Sequence, residues 1–484
     1  MRRLGRLRAS ALAAALLGAA AAPKPARAWE PETTHAGLAE QAALASRLHK
    51  RLVTLGFTGG LFEALTIPPA DAPTLIAALR LLSPSHGAVP DARGRQSALG
   101  WLAAGAALAD VPAAHGANHF FDPLTGRGWE TPERGALDKL GDAVRRALGR
   151  APLPDRGTPA PDWITARDNP FNLAAFASQY AKAVTAATPG ERSRHMASAL
   201  VAAGAILHVL GDLGAPSRVR GDALAHFEPL GGGPDDLGSR FERIAALAHG
   251  RLGVPGPSRV ITRTHLRDYF TAKDGGGLAD LIARSYFSPN TLPEPARVGG
   301  DARPKLARPA PTLPSRLNLM AASRDEGSLL RDAKGTCLAR YRVEHGVVAF
   351  GLDDECLLEQ VDAILPEVAA YETGLLDFLL RGELQITAAA GELAVTGKGL
   401  GAGAVELYVE DERGVRTKLA EAATAGAPAA PATAGATPGA AATPGAELAR
   451  VAAPAAGTRV IALYRGADVN GEPLIAVGVA PLAR

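Results

Sequence analysis

The chain is poor in cysteine, methionine and aromatic residues: it has 2 Cys and 3 Met in 484 residues, and Phe, Trp and Tyr together make up 5%. Two cysteines exclude both a disulfide framework and a thiolate zinc cluster, so a metal site here must draw on His, Asp and Glu. Scarce aromatics leave Ala, Leu and Val to build the core. Charged residues account for 21% of the chain, which argues against wholesale disorder. No repeat with a period of roughly 20 to 50 residues is found. The length predicts two or three domains rather than one. Beyond the N-terminus, no stretch reads as a membrane span.

The N-terminus reads as an export leader. Arg2, Arg3, Arg6 and Arg8 form a positive region, Ala11 to Ala22 an apolar one, and Ala26-Arg27-Ala28 an A-x-A cleavage site. The apolar run falls short of the ~20 residues a spanning helix needs, Pro23 and Pro25 break it, and no lipobox Cys is present. Cleavage after Ala28 and a secreted or periplasmic product are therefore expected. The leader holds five Arg, one Lys and no acid, so 46 basic residues face 49 acidic ones in the remainder and the net charge falls from +3 to about −3. In an oxidising compartment Cys337 and Cys356 read equally as a disulfide pair or as two buried small apolar residues. Cleavage also makes Trp29 the new N-terminus, and a free α-amino group with its adjacent carbonyl can chelate a metal.

From Trp29 to about Leu292 the periodicity is helical. Apolar residues recur at three and four over 38–55, 74–82, 98–108, 136–148, 171–187 and 189–213. Residues 289–314 form a Pro-rich, basic connector, 315–331 and 357–380 read as further helices, and 341–352 as a short hairpin. After Arg381 the texture changes to period-two alternation over 383–395, 404–411, 458–464 and 474–479. Residues 422–446 are an Ala/Pro/Thr/Gly tract read as a disordered loop. The Gly397-Lys398-Gly399-Leu400-Gly401 run has the wrong spacing for a phosphate loop and reads as a strand and turn. The expected fold class is mainly α: a leader (1–28), a helical domain (29–385) and a small antiparallel β-sandwich-like domain (386–484).

Three local features carry chemistry. His208 and Asp212 lie four residues apart in a helical run, which places both side chains on one face about a turn apart, where both could ligate one divalent ion. The same spacing also suits a simple hydrogen-bonded helix pair. Asp110 precedes Asn118-His119-Phe120-Phe121-Asp122-Pro123, a loop whose His could equally be a packed core residue. Thr33-Thr34-His35 follows the expected new N-terminus, where Thr could simply cap a helix.

Taken in this order, together with the cleavage site, these motifs resemble the secreted bacterial zinc-dependent phospholipase C family, whose all-helical fold is shared with fungal single-strand-specific nucleases. The resemblance covers roughly Trp29 to Leu252 and, more loosely, the helices out to Arg381. It implies a first zinc held by Asp110, His119, His208 and Asp212, and a second held by the amino and carbonyl groups of Trp29 with His35 and a shared Asp212. This N/O donor set suits zinc. The resemblance also makes Asp110 the candidate general base.

The chain departs from the family at a third ion. The family's His ten residues after the helix His is Arg218 here, and its later His-x-x-x-Glu reads Gly238-Ser239-Arg240-Phe241-Glu242. A guanidinium stays protonated and cannot ligate a metal, but it supplies fixed charge. Arg218 is therefore expected to pair with Glu242 in place of the lost cation and to contact phosphate, while His226, in the same loop, is the other candidate for a lost ligand. The remaining histidines, such as His49, His86, His195 and His345, match no family position. The leading expectation is an exported phosphodiesterase with two zinc ions acting on phospholipid at a membrane surface, with Asp110, Arg218 and Glu242 as its catalytic set. A nuclease or nucleotidase ranks lower, because basic patches with stacking aromatics are lacking beyond Phe120, Phe121 and Trp129. A non-catalytic, zinc-stabilised binding protein is the third expectation.

Overall fold

The fold is that of a computed structural model, which describes residues 31–81, 90–131, 155–230, 237–298, 317–424 and 446–482. The expected leader, Trp29, the helix read at 136–148 and most of the connector and of the 422–446 tract lie outside the described residues. At the tract's ends, residues 422–424 and 446 belong to strands rather than to a loop.

Two crossing helices organise the site. Residues 98–108 form helix α4 (Ala98–Leu108), whose N-cap Ser97 accepts a hydrogen bond from the Gly100 amide at 3.0 Å. Residues 189–213 form helix α6 (Pro189–Gly211), which opens with a capping box between Thr188 and Glu191 and with Pro189 in its first turn. Small residues let the two backbones meet. A Cβ on Gly105 would stand 2.1 Å from Val201 O, and one on Gly204 would stand 2.0 Å from Leu102 O. From Met196 to its end helix α6 is apolar on nearly all sides and almost wholly buried, while its first two turns carry Glu191, Arg192, Arg194 and His195. By length and hydropathy Pro189–Gly214 could cross a membrane, which the sequence reading overlooked, but 94% of its apolar window is buried inside the fold.

Among the described residues, the other helices of eight residues or more lie around this pair. They are α1 (Ala36–Ala45), α2 (Leu48–Leu55), α3 (Pro73–Leu81), α5 (Leu173–Thr185), α7 (Arg240–His249), α8 (Leu278–Ser285) and α9 (Asp354–Leu379). The run read as one helix over 38–55 divides at Ser46-Arg47, where Ser46 is extended and its hydroxyl bonds back to Ala43 O at 2.9 Å. The helix read at 315–331 is mostly absent. Asn318 caps a single turn, Leu319–Ala322, the chain then turns at Gly327 with φ +71°, and Ser328–Arg331 is strand β1. Strands β2 (Cys337–Glu344) and β3 (Val347–Gly351) pair as the expected hairpin, but within a four-stranded sheet that also holds β1 and Ala296–Arg297. Cys337 on β2 and Cys356 at the start of α9 form a disulfide.

After α9 come strands β4 (Leu384–Ala389), β5 (Glu392–Gly397), β6 (Leu400–Glu410), β7 (Arg416–Thr424), β8 (Ala446–Ala452), β9 (Arg459–Asp468) and β10 (Pro473–Pro481). They make two antiparallel sheets, ordered β8-β5-β4 and β7-β6-β9-β10, with Leu393, Val395, Val405, Ala462 and Tyr464 in the core between them. Gly397 ends β5 and Leu400 begins β6, so the glycine run is a strand and turn. The other face of β9 and β10 carries Ile461, Leu463 and Val477 into the helical core. With sheets in both halves, the chain is a helical assembly plus antiparallel β-structure, more sheet-rich than the mainly α expectation.

Candidate metal centre

The α4/α6 crossing converges on four ligating side chains. Asp110 follows the end of α4, His208 sits in the last turn of α6, and Asp212 is its C-cap residue. His119 ends a 3₁₀ segment, Ala113–His119, which the Phe121 amide and the Arg218 carbonyl pin to the turn after α6 at 3.0 Å. Asp110, His119, His208 and Asp212 offer ligand atoms that all lie within 4.8 Å of one another, and all four residues are buried. His35 joins them from a single π-helical turn, Pro31–His35, its ring stacked on His208 with centroids 3.6 Å apart.

Asp212 divides its oxygens between two groups. Oδ1 lies 3.1 Å from His35 Nε2, while Oδ2 lies 2.7 Å from His119 Nδ1 and 3.1 Å from His208 Nε2. His208 Nδ1–H donates to the Ala106 carbonyl on α4 at 2.7 Å, which turns Nε2 toward the two carboxylates. Asp110 stands within ion-pair distance of both His119 (3.2 Å) and His208 (3.5 Å). Neither contact has hydrogen-bond alignment, so both Asp110 oxygens lack a hydrogen-bond partner, as do His208 Nε2, His119 Nε2 and His35 Nδ1. Buried polar atoms are paired almost without exception in folded proteins. A cluster of unpaired nitrogens and carboxylate oxygens with this donor set fits a divalent cation bound among them.

The electrostatics agree. Burial pushes the Asp110 carboxyl up, but His208 and His119 outweigh it and hold it well below the usual range. Burial likewise opposes ionisation of Asp212, and Arg218, His208 and His35 together overcome that opposition. Burial, with His208 nearby, lowers His35 to about 4, leaving a neutral ring with a free lone pair. Burial works against a charged His208 too, but Asp212 and Asp110 raise it to about 10. Without a cation, a proton on His208 supplies the positive charge these carboxylates require.

Arg218 and Glu242 meet beside this cluster. Arg218 Nε donates to Glu242 Oε1 at 3.0 Å, its Nη1 lies 3.4 Å from Asp212 Oδ2, and its guanidinium rests over the Phe120 ring at 4.7 Å. At 2% exposure the group is enclosed. Burial raises Glu242 to about 8, although Arg218 draws it down. His226 completes the group, with Ser217 Oγ 3.1 Å from its Nε2 and Glu242 Oε2 3.8 Å from its Nδ1. Burial, helped by Arg218, holds His226 well below its ordinary value. Gly238 lies in a two-residue strand, Leu237–Gly238, and brings no side chain to the group.

One residue was missed entirely. Glu372, in the C-terminal half of α9, is buried at 1% exposure with neither carboxylate oxygen hydrogen-bonded. Burial raises its carboxyl well above the usual range. A single acid within Ala369-Ala370-Tyr371-Glu372-Thr373-Gly374-Leu375, otherwise small or apolar, was the available signal.

No described protein family and no curated protein matches the chain. Among the solved structures distantly similar to it are two alpha-toxins. The alpha toxin from Clostridium absonum is 13% identical, over 95% of this chain and 94% of that one, with a TM-score of 0.27. The alpha-toxin from an avian strain of Clostridium perfringens is 11% identical, over 95% of this chain and all of that one, also with a TM-score of 0.27.

Proposed function

We propose that the chain is an exported, zinc-dependent phosphodiesterase that hydrolyses phospholipid head groups. The observation that carries this reading is the enclosed cluster of Asp110, His119, His208 and Asp212 with its unpaired ligand atoms. These four residues would hold one zinc. His35, the Oδ1 oxygen of Asp212 that faces it and the backbone of Trp29 would hold a second. When bound, zinc supplies Lewis acidity toward water and toward a phosphoryl oxygen.

The protein groups supply the rest. Asp110 is the most accessible of the four ligating side chains, at 8% exposure, and its ionised carboxylate suits it to accept the proton of the attacking water. The water oxygen bonds to phosphorus, the bond to the diacylglycerol oxygen breaks, and the proton passes to that leaving alcohol. Arg218, backed by Glu242, holds fixed positive charge beside Asp212 where the family has a third ion. The order of the leader, Trp29, His35, Asp110, His119, His208 and Asp212 supports phospholipid as the substrate class. The Cys337–Cys356 disulfide suits an oxidising compartment.

The enclosed Arg218–Glu242 pair also favours a second reading, in which the metals only stabilise a binding protein. Zinc content and activity on the exported chain separate the two. Two zinc ions per chain, with lecithin hydrolysis abolished by Asp212→Asn, are expected. Two zinc ions with no hydrolysis of lecithin or single-stranded DNA would leave the binding protein, and zinc near zero would sink both readings.

A further inference from the structure

We propose that Glu372 is the positioning carboxylate of His35, fixing that ring as a ligand for the second metal. The inference rests on the metal reading above. It begins with Gly211, the last residue of α6. A Cβ there would stand 2.5 Å from Glu372 Oε1 and 3.3 Å from His35 Nδ1, so the absent side chain leaves one small space onto which the carboxylate and the imidazole nitrogen both open. Both are buried, and neither has a hydrogen-bond partner.

The other edge of His35 is committed: Nε2 faces Asp212 Oδ1 at 3.1 Å, and Asp212 is the carboxylate shared with the four-residue cluster. A metal ligated at Nε2 requires the proton to reside on Nδ1, and that N–H then needs an acceptor. Glu372 is the carboxylate at that edge. Metal-ligating histidines commonly donate their second N–H to a carboxylate, which sets the tautomer and the ring orientation.

A buried acid that stabilised the fold by itself would be paired, and Glu372 is not. Its unpaired state is the property that distinguishes a positioning role from a structural one. Without metal, removing it deletes an unsatisfied buried group. With metal, removing it deletes the acceptor that holds His35.

The experiment compares Glu372→Leu, Glu372→Gln and wild type, each purified as the expression host exports and processes it, stripped of metal and then titrated with zinc against a competing chelator. The metal-free proteins are also melted. Glu372→Leu is expected to weaken one of the two zinc ions about 10- to 100-fold and leave the other unchanged. Glu372→Gln, which keeps an acceptor oxygen, falls between it and wild type. The metal-free melting temperature is expected to stay level or rise in both variants. Wild-type affinity for both ions in Glu372→Leu, or a lower metal-free melting temperature, would overturn the positioning role and leave the metal centre intact. Wild-type protein that binds no zinc would overturn the metal reading itself.

Discussion

Arg218 is where a single residue changes what the site can be. It is enclosed between Asp212 and Glu242, and it is first among the cations that keep Asp212 ionised against burial. Removing one partner of a buried charge group leaves the other uncompensated, which costs about 3–5 kcal/mol. Arg218→Ala should therefore destabilise the metal-free protein by about that amount in urea titration, and by less once zinc shares the charge of Asp212. An unchanged urea midpoint in both states would remove the charge-substitution idea. At this scale the sequence was partly legible. The four-residue step from His208 to Asp212 is local, so helix geometry alone puts the two side chains on one face. Asp110 and His119 come from other segments, and only the resemblance linked them to that helix. Glu372 stayed hidden because a lone Glu in a helix ordinarily faces water, and the small and apolar run around it is the one local sign that α9 is buried there.

At the scale of elements, the metal centre depends on how closely α4 approaches α6. Ala106 O reaches His208 Nδ1 only because Gly105 and Gly204 allow backbone-to-backbone contact one turn earlier. Gly204→Ala would drive a methyl into Leu102 O and spread the helices. We expect a stability loss of about 1–3 kcal/mol and weaker zinc binding as His208 loses its orienting acceptor; zinc affinity equal to wild type would show that the crossing does not set the ligand. Both helices were legible because their apolar runs are long. The strands missed in the reading have physical reasons. β7 reads Arg-Thr-Lys-Leu-Ala-Glu-Ala-Ala-Thr, an edge strand rich in Ala and charge and poor in β-branched residues, and β8 adjoins the Ala/Pro tract. The turn at 315–331 was misread because its apolar residues belong to a capped single turn and then a strand, which together imitate a helical period.

Across the whole molecule, the two halves share one interior. Strand β9 is buried on both faces, giving Val460, Ala462 and Tyr464 to the sandwich and Ile461 and Leu463 to the helices. A charged group closes the same seam. Glu410 at the end of β6 accepts from Arg416 Nε at 2.7 Å and from Arg459 Nε at 2.6 Å, with Arg192 of α6 3.5 Å away. Arg416 in turn donates to the carbonyls of Val184 and Leu55 at the ends of α5 and α2. Burial opposes ionisation of Glu410, but Arg459 and Arg416 overcome it and hold the carboxyl below its ordinary value. A carboxyl depressed in the folded state contributes stability above its unfolded pKa of about 4.3 and loses that contribution as pH falls through the lower folded value. Glu410→Gln should thus destabilise the protein by about 3 kcal/mol at pH 7, and the gap from wild type should narrow as the pH is taken below about 4. Urea titrations of both proteins at the two pH values measure it. A gap that is absent at neutral pH, or that widens in acid, would show that this ion cluster does not join the helices to the sandwich.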